Sequence, residues 1–493
     1  MTTTIPNWLQ QRAFLTPHRR ALTYGDRSWS FAELYEESKV WAYKLAGIGV
    51  KKEEAIGVLG TNCPQTIFLL HALQQIGAKT VLLNTRLTVE ELVFQVNDAN
   101  VEKVILDNQL QSKFASLEQD LFVCTYEQLM ELPELPLTLR HEFSLNEICS
   151  IMYTSGTTGN PKGVQQTYGN HWWSAVGSAL NLGLYENDAW LCALPLFHIS
   201  GYSILIRSVI YGIEVVLMKQ FDEKKANEYL CSGHASIMSV VATMLDRMVR
   251  ELGDNVYHPR FRCMLLGGGP APKSLLERCI DRQIPVFQTY GMTETASQVV
   301  TLSPEHVFSK LGSAGKPLFP VQIEIRVDER VATPNEAGEI VVKGPNVTPG
   351  YLNRSDANNE RFQNGWFFTG DYGYLDDEGF LYVLDRRSDL IISGGENIYP
   401  AEIESVLHSH PAVLEAGVIG IDDDVWGQVP CAFVVLASGV SMEELKNYCT
   451  KRLAKYKIPK KFIVVDELPR NASNKLLRRK LKEWIKVNEH AGT

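Results

Sequence analysis

Ala55-Ile56-Gly57-Val58-Leu59-Gly60 begins the stretch of the chain that decides its fold. This apolar run is typical of a buried strand, and the segment from Gln65 to Ile76 that follows it has the apolar spacing of a helix. A second apolar run, Thr80-Val81-Leu82-Leu83, comes next. Strand, helix and strand in this order predict parallel strands joined by a crossover helix. The helical pattern from Phe31 to Leu45, upstream, fits the same alternation.

The same alternation recurs further along the chain. Short strand-like runs follow at Val215-Val216-Leu217-Met218, Ser236-Ile237-Met238-Ser239-Val240 and Cys263-Met264-Leu265-Leu266. From Val321-Gln322-Ile323-Glu324-Ile325-Arg326-Val327 to Leu384, alternating strands and Gly-rich turns predict an antiparallel, barrel-like unit. The fold class is therefore α/β, with βαβ-type sheets and a small barrel-like β unit in one large domain.

A polar run, Asp385-Arg386-Arg387-Ser388-Asp389, separates two apolar strands and predicts a domain boundary. We expect a large domain over residues 1–384, a hinge over 385–389 and a small α+β domain over 390–493. No internal repeat or low-complexity tract is present.

Composition and cysteine usage predict an ordinary globular protein of the cytoplasm. The 493 residues are 45% hydrophobic and 21% charged. The most apolar stretch, Ser203 to Met218, is interrupted by Arg207 and Glu214, so we expect no membrane span. The first residues lack the basic-then-apolar order of a signal peptide. Nine cysteines without a Cys-x-x-Cys pair indicate reduced thiols.

Charge is distributed unevenly along the chain. The net charge of −9 argues against a nucleic-acid partner. The segment from Lys446 to Lys486, however, holds 14 Lys and Arg against 3 Asp and Glu, a net of +11. Such a segment is either a solvated basic face or a surface that meets polyphosphate, and charge alone does not separate the two.

The densest chemical signal is Tyr153-Thr154-Ser155-Gly156-Thr157-Thr158-Gly159-Asn160-Pro161-Lys162-Gly163-Val164. It joins five hydroxyls, three glycines and one lysine after the apolar strand end Ile151-Met152. Glycines let backbone N–H groups turn toward an anion, and hydroxyls and a lysine add further donors. The composition predicts a phosphate-binding loop. It is not the Walker loop, because Pro161 stands where that pattern needs Gly and Gly163 where it needs Ser or Thr.

This segment resembles the nucleotide-binding signature of the adenylate-forming superfamily, which groups acyl-CoA synthetases, carrier-charging adenylation domains and beetle luciferases. Further motifs of that superfamily follow in order over nearly the whole chain. The resemblance implies ATP, Mg²⁺ and coenzyme A as ligands. It assigns ATP contacts in this loop to Thr154, Ser155, Gly156, Thr157, Thr158 and Lys162.

Two motifs are similar to those around the acyl pocket. One is Ala193-Leu194-Pro195-Leu196-Phe197-His198-Ile199-Ser200-Gly201. A His in an apolar run is more often a core residue, but the resemblance places His198 where carboxylate and thiol meet. The other, Gly267-Gly268-Gly269-Pro270-Ala271-Pro272, implies that Gly268 and Gly269 border the adenine and the acyl group. The candidates for the acyl pocket are His198, Ser200, Ser239, Thr243 and Gly269.

Gln288-Thr289-Tyr290-Gly291-Met292-Thr293-Glu294-Thr295 would, taken alone, be interpreted as a loop. The resemblance implies that Tyr290 stacks on adenine, Thr293 contacts the α-phosphate and Glu294 helps hold Mg²⁺. An aromatic face, a hydroxyl and a hard carboxylate suit those three partners. Thr369-Gly370-Asp371 resembles the motif whose Asp accepts the ribose hydroxyls.

The C-terminal part carries the remaining motifs. The resemblance implies that Arg386 reaches the nucleotide and that Ser388 is the hinge residue, where relatives usually have Asp or Lys. Ser393-Gly394-Gly395 resembles the stretch that lines the pantetheine tunnel. Leu468-Pro469-Arg470-Asn471-Ala472-Ser473-Asn474-Lys475 resembles the motif of the catalytic lysine, with Asn474 where most relatives have Gly. Asn tolerates left-handed backbone angles, so the turn can be kept.

The resemblance thus predicts an acid–CoA ligase with Lys475, Thr293, Glu294 and His198 in catalytic roles. Three more segments, Gly169 to Ala175, Ser297 to Glu305 and Leu311 to Leu318, resemble the o-succinylbenzoate–CoA ligase group of menaquinone biosynthesis. The alternatives are another aryl- or medium-chain acyl-CoA synthetase, a carrier-charging adenylation protein, or an inactive relative that serves as a nucleotide sensor or scaffold. The sequence leaves a homo-oligomer open.

Overall fold

A computed structural model describes residues 3–490 except 115–120, 155–160, 269–272, 311, 329, 387–390, 399, 438, 470–475 and 477. The described residues divide into two compact units. One holds those of Met1–Thr85, Val96–Tyr153 and Gly163–Leu384, and the second those of Arg86–Gln95, Thr154–Lys162 and Asp385–Thr493.

The stretch that predicts the fold forms the centre of a seven-stranded sheet. In spatial order its strands are Gly350–Tyr351, Lys162–Thr167, Ile148–Thr154, Lys79–Leu82, Ala55–Leu59, Lys103–Leu106 and Phe122–Thr125. Ala55–Leu59 is parallel to both of its neighbours. The predicted crossover helix is confirmed as Pro64–Ile76. It begins at a proline and ends where Gly77 turns left-handed at φ +84°.

A nine-stranded sheet holds the other runs of the parallel pattern. Its strands, in spatial order, are Lys316–Pro317, Ser297–Leu302, Val286–Met292, Cys263–Leu266, Ile237–Val240, Ala189–Cys192, Glu214–Leu217, Arg20–Tyr24 and Arg27–Ser30. The predicted strand at 263–266 is confirmed residue for residue. The octapeptide 288–295 is not a loop: strand Val286–Met292 runs through most of it, and a 3₁₀ turn, Thr293–Thr295, completes it.

Two smaller sheets account for the antiparallel pattern. One has the order Arg330–Val331, Gln322–Val327, Gly338–Lys343, Trp366–Leu375 and Phe362–Gln363, with Leu381–Arg386 also paired to Trp366–Leu375. The other, in the second unit, has the order Glu396–Ile398, Ile391–Ser393, Gly427–Leu436 and Val413–Asp423, with Lys461–Val464 paired to Gly427–Leu436. Thr4–Pro6 pairs with Glu142–Ser144. The predicted α/β class with an antiparallel β unit is confirmed.

Helices cover these sheets. They are Trp8–Leu15, Phe31–Gly47, Pro64–Ile76, Val89–Asp98, Tyr126–Glu131, Tyr168–Leu182, Ile199–Tyr211, Glu223–Cys231, Ala242–Glu251, Lys273–Asp281, Ser355–Arg361, Pro400–His408, Met442–Thr450 and Arg478–His490. Short 3₁₀ turns are Asn108–Lys113, Thr293–Thr295, Pro304–His306 and Lys455–Lys457. Phe31–Gly47 begins at a capping box in which the Ser30 hydroxyl and the Glu33 carboxylate satisfy each other's backbone N–H.

One hydrophobic core joins the two large sheets. It contains apolar side chains of both, such as Ile56 and Trp190, together with the inner faces of Pro64–Ile76 and Ile199–Tyr211. The nine cysteines are free. Within the part of the chain that the structure describes, no helix has the length and apolarity to cross a membrane.

Candidate active site

Seven of the predicted site residues of the first unit lie at or just beyond one edge of the nine-stranded sheet. Four neighbouring strands there are parallel: Val286–Met292, Cys263–Leu266, Ile237–Val240 and Ala189–Cys192. Ligands of open α/β sheets bind outside the carboxyl ends of such strands. Those ends and the residues just after them carry, strand by strand, Thr293 and Glu294, then Gly268, then Ser239 and Thr243, then His198 and Ser200.

Two predicted nucleotide contacts from distant motifs meet directly. The hydroxyl of Tyr290 donates to Asp371 Oδ2 at 2.8 Å. Both side chains are buried. The Asp371 N–H donates to Thr369 Oγ1 at 3.0 Å, and that hydroxyl donates to the Ile340 carbonyl at 2.7 Å. The predicted adenine and ribose partners therefore occupy one fixed arrangement.

The turn that carries Thr293 and Glu294 is held by its carbonyl groups. Four consecutive carbonyls each accept a hydrogen bond from outside the turn. The donors are Gln166 Nε2 to Thr293 at 2.7 Å, Thr348 N to Glu294 at 2.8 Å, Asn346 Nδ2 to Thr295 at 3.0 Å and Ser174 Oγ to Ala296 at 2.6 Å. We call this set the carbonyl clamp. It fixes a turn that ends in left-handed backbone at Ala296, φ +50°.

The carboxylate of Glu294 suits the predicted metal. The Tyr351 hydroxyl donates to its Oε1 at 3.0 Å, which orients a hard oxygen ligand of the kind Mg²⁺ prefers. No group of three or more His, Cys, Asp or Glu side chains fit to hold a metal occurs among the described residues. Nucleotide-bound Mg²⁺ commonly takes one or two protein carboxylates together with phosphate oxygens, so Glu294 fits this ion.

The glycine motif lies beside Val241, which follows the strand that carries the predicted acyl-pocket residue Ser239. Gly268 is left-handed at φ +84°, and a Cβ there would lie 3.0 Å from Val241 Cγ1. Ser239, two residues before Val241, accepts a hydrogen bond from Trp190 Nε1 at 3.0 Å. His198 is half-buried, and its backbone N–H donates to the Pro195 carbonyl at 3.2 Å.

Arg207 is a buried residue to which no motif of the sequence assigns a role. It is 2% exposed, on helix Ile199–Tyr211. Its Nη2 donates to Ser174 Oγ at 3.2 Å, its Cζ lies 5.7 Å from the centre of the Trp190 ring, and its Nε has no hydrogen-bond partner. No carboxylate of the described residues pairs with it. The sequence feature that could identify Arg207 is its position as a lone arginine inside an apolar run of helical spacing.

The surroundings of Arg207 leave its charge largely uncompensated. His171 is fully buried, and burial together with the Arg207 charge lowers the pKa of its imidazole to about 3. His171 is therefore neutral at working pH and supplies no charge of either sign. Contact with the Trp190 face offsets part of the cost, but an isolated buried cation remains expensive without an anion.

The phosphate loop is described at both of its flanks. Thr154 ends strand Ile148–Thr154, and Lys162 begins strand Lys162–Thr167. Tyr153, at the first flank, donates to Asp98 Oδ2 at 2.8 Å. Asp98 also pairs with Arg354 at 2.9 Å, which anchors this strand end.

In the second unit, Ser393 is buried and the two glycines after it are left-handed, with φ +57° at Gly394 and +84° at Gly395. A Cβ at Gly394 would lie 2.6 Å from the Trp426 ring, so only glycine fits there. Arg386 ends strand Leu381–Arg386. Five groups of predictions fall outside the described residues: Ser155, Gly156, Thr157 and Thr158; Gly269; Ser388; Asn474; and Lys475.

Two family models match the chain. The model described as AMP-binding enzyme covers residues 9–352, and the model described as AMP-binding enzyme C-terminal domain covers residues 402–475. Together they reach both units.

Similar proteins span the full length of the chain. A 2-succinylbenzoate–CoA ligase of Geobacillus kaustophilus is 59% identical over 489 residues, 99% of each chain. A double mutant of the o-succinylbenzoate CoA synthetase of Bacillus subtilis, solved with the product analogue OSB-NCoA, is 53% identical with a TM-score of 0.94, over 98% of each chain. The Bacillus subtilis synthetase solved with ATP and magnesium ion is 53% identical with a TM-score of 0.77, over 97% of this chain and 100% of that one.

Proposed function

The chain belongs to the family of AMP-binding enzymes, and from that premise we propose that it is an AMP-forming acid–CoA ligase whose acid is o-succinylbenzoate. Full-length relatives of 52–59% identity are named for that reaction. The product, o-succinylbenzoyl-CoA, belongs to menaquinone biosynthesis.

The reaction has two steps. A carboxylate oxygen of the acid attacks the α-phosphorus of ATP, the bond to the β-phosphate oxygen breaks, and acyl-adenylate and pyrophosphate form. Coenzyme A thiolate then attacks the acyl carbonyl, and the bond to AMP breaks. The first step converts an oxide, which is a poor leaving group, into AMP, which is a good one.

The chain's own residues position and stabilise these groups. Tyr290 and Asp371 hold the adenosine, and the clamped turn presents the Thr293 hydroxyl to the α-phosphate. Glu294 would hold Mg²⁺, which supplies charge stabilisation for phosphate oxygens. Preorganised donors of this kind act without reorganisation during the reaction.

The observation that carries the choice of acid is Arg207. A fatty or simple aryl acid has one carboxylate, which the reaction consumes. o-Succinylbenzoate has a second one, and a buried guanidinium with an unsatisfied Nε is the complementary partner for it. Trp190 supports this choice because it contacts both partners: its ring centre lies 5.7 Å from Arg207 Cζ, and its indole N–H donates to the predicted pocket residue Ser239.

The test measures pyrophosphate and AMP release with ATP, Mg²⁺ and coenzyme A across a panel of acids. The panel holds o-succinylbenzoate, benzoate, coumarate, octanoate and palmitate. We expect selective turnover of o-succinylbenzoate. Preference for another acid would keep the ligase and discard this substrate. Pyrophosphate release without AMP release would favour a carrier-charging protein. Absence of both pyrophosphate and AMP release with every acid would favour an inactive relative.

Substitution of Arg207 tests the role of the second carboxylate. Arg207→Met should lower kcat/KM for o-succinylbenzoate about 100-fold, because a charged hydrogen-bonded pair is lost. It should leave kcat/KM for 3-benzoylpropionate, which lacks the ring carboxylate, within about threefold. Surface Arg247→Met is the matched control. An equal loss with both acids would contradict the assignment.

Lys475 and residues 385–389 belong to the same proposal. Lys475 stabilises charge on the phosphorus in the first step, residues 385–389 act as the hinge, and residues 390–493 form the mobile domain that carries both Lys475 and the tunnel segment Ser393 to Gly395. Lys475→Ala should lower the adenylation rate about 100-fold or more. Thioester formation from preformed acyl-adenylate should change little. Equal loss in both steps would contradict that role.

A further inference from the structure

Ser174 lies between Arg207 and the carbonyl clamp. Its hydroxyl accepts from Arg207 Nη2 at 3.2 Å and donates to the Ala296 carbonyl at 2.6 Å. Ser174 is 3% exposed, on helix Tyr168–Leu182. One side chain thus connects the buried guanidinium to the end of the turn that carries Thr293 and Glu294.

We propose that Ser174 is a positioning residue that couples recognition of the acid's second carboxylate to the turn that meets the nucleotide. The proposal rests on the proposed function, since it needs an acid whose carboxylate reaches Arg207. It goes beyond that function because Ser174 contacts neither reacting group.

The coupling follows from what each hydrogen bond fixes. The hydroxyl has one proton, which it gives to Ala296, so the guanidinium can only donate to the oxygen lone pairs. A hydrogen bond received by the hydroxyl strengthens the one it donates, because the two polarise each other. A carboxylate that binds Arg207 restricts the guanidinium to one orientation, and Ser174 transmits that restriction to Ala296.

The turn is able to respond to this restriction. Ala296 and Ser297 both have positive φ, at +50° and +102°, a conformation that non-glycine residues adopt only where surroundings hold them. Ser174 supplies the last of the four donors of the clamp, next to those residues. When the Ser174 donor is held in one position, the turn is held with it. The Thr293 hydroxyl is then already in place for the α-phosphate when ATP binds.

Reciprocal binding is the direct test. Because coupling between two ligands is mutual, o-succinylbenzoate should raise the affinity for an ATP analogue with a methylene between the α- and β-phosphates. We expect about a tenfold increase for the native chain in calorimetric titrations, and less than twofold for Ser174→Ala. With 3-benzoylpropionate in place of o-succinylbenzoate, the affinity for the ATP analogue should increase less than twofold in both the native chain and the variant.

Kinetics and controls separate coupling from simple damage. Ser174→Ala should lower kcat for adenylation of o-succinylbenzoate about tenfold. In this variant, KM for ATP should be the same at low and at saturating acid concentration. Ser178→Ala, one turn further along the same helix and equally buried, should show native coupling. Ser174→Cys keeps the volume with a weaker donor and should fall between the two. In an Arg207→Met background, Ser174→Ala should add no further loss of coupling.

Native coupling in Ser174→Ala would overturn the inference. This includes a loss of ATP-analogue affinity that is the same with and without acid, since such a loss leaves the coupling unchanged and would give Ser174 a structural role alone. Failure of the native chain to bind o-succinylbenzoate overturns the proposed acid, whereas binding without any effect on the ATP analogue overturns the coupling and leaves the acid in place.

Discussion

At the scale of single residues, the contact between Tyr290 and Asp371 allows the two predicted nucleotide roles to be separated. Asp371→Asn keeps the size of the side chain and removes the charge that would accept ribose hydroxyls. We expect AMP to bind about 10-fold more weakly, since hydrogen bonds to charged groups contribute about 1.5–3 kcal/mol. Isothermal titration with AMP measures it.

Tyr290→Phe is the matched control for that prediction. It keeps the aromatic face for adenine and removes the 2.8 Å hydrogen bond to Asp371. AMP affinity should fall about threefold or less. An effect as large as that of Asp371→Asn would mean that the hydrogen bond, and not the carboxylate itself, controls ribose binding.

Residues also show where sequence reasoning ends. Motifs predict site roles for Thr293, Glu294, Tyr290 and Asp371, and the first unit brings these four residues to neighbouring places. In the sequence, Arg207 stands out only because it interrupts the apolar run from Ser203 to Met218. Nothing in the sequence tells that its nearest partner is a hydroxyl 33 positions earlier, because that pairing depends on how two helices pack.

At the scale of elements, the carbonyl clamp predicts that the turn Thr293–Thr295 depends on side chains from outside it. Gln166→Leu keeps the volume and removes two buried hydrogen bonds, the one from Nε2 to the Thr293 carbonyl and the one that Oε1 accepts from Ser150, while the Thr293 carbonyl keeps the Ala296 N–H at 3.1 Å. We expect the free energy of unfolding to fall by about 1–3 kcal/mol, at about 0.5–1.5 kcal/mol for each lost hydrogen bond. Adenylation should slow about tenfold, because Thr293 loses its fixed position.

Urea unfolding and pyrophosphate release measure the two effects. Gln165→Leu is the control, because this neighbour contributes its backbone carbonyl, and not its side chain, to the hydrogen bond with Thr348. Full activity in Gln166→Leu would show that the other three donors hold the turn alone.

Elements were predicted well where the apolar pattern is local. The strand at 55–60 and the helix at 65–76 are each predicted within one residue, and the ends of the helix are set by Pro64 and Gly77. The prediction of a loop at 288–295 is wrong, because the polar residues of this octapeptide lack the apolar pattern of the strand that they form. Pairing with Ser297–Leu302 and Cys263–Leu266 makes it one, and neither partner is readable from the octapeptide itself.

At the scale of the whole molecule, two buried imidazoles predict acid sensitivity of the first unit. Burial lowers the pKa of His71 to about 4 and that of His171 to about 3. In the unfolded chain both titrate near 6.5. The unfolded state therefore binds more protons below pH 6.5, and stability falls as pH decreases from there toward the native values.

The size of this effect can be checked directly. At pH 5 each imidazole should lower the free energy of unfolding by about 2 kcal/mol relative to its value at pH 7.5. His171→Gln should reduce the pH-dependent loss of unfolding free energy by that amount, measured by urea unfolding at both pH values. His141→Gln, at the exposed surface, should keep the native difference. An unchanged difference in His171→Gln would mean that its imidazole is charged in the fold.

In the proposed function, the uncompensated guanidinium of Arg207 also determines which acids do not bind. An acid with an apolar tail would keep the cation away from water and would supply no anion to pair with it. Such a molecule is rejected by the electrostatic cost it leaves behind, whatever its size. Selectivity of this kind resists enlargement of the pocket, so a broader substrate range should require loss of the cation before any gain in room.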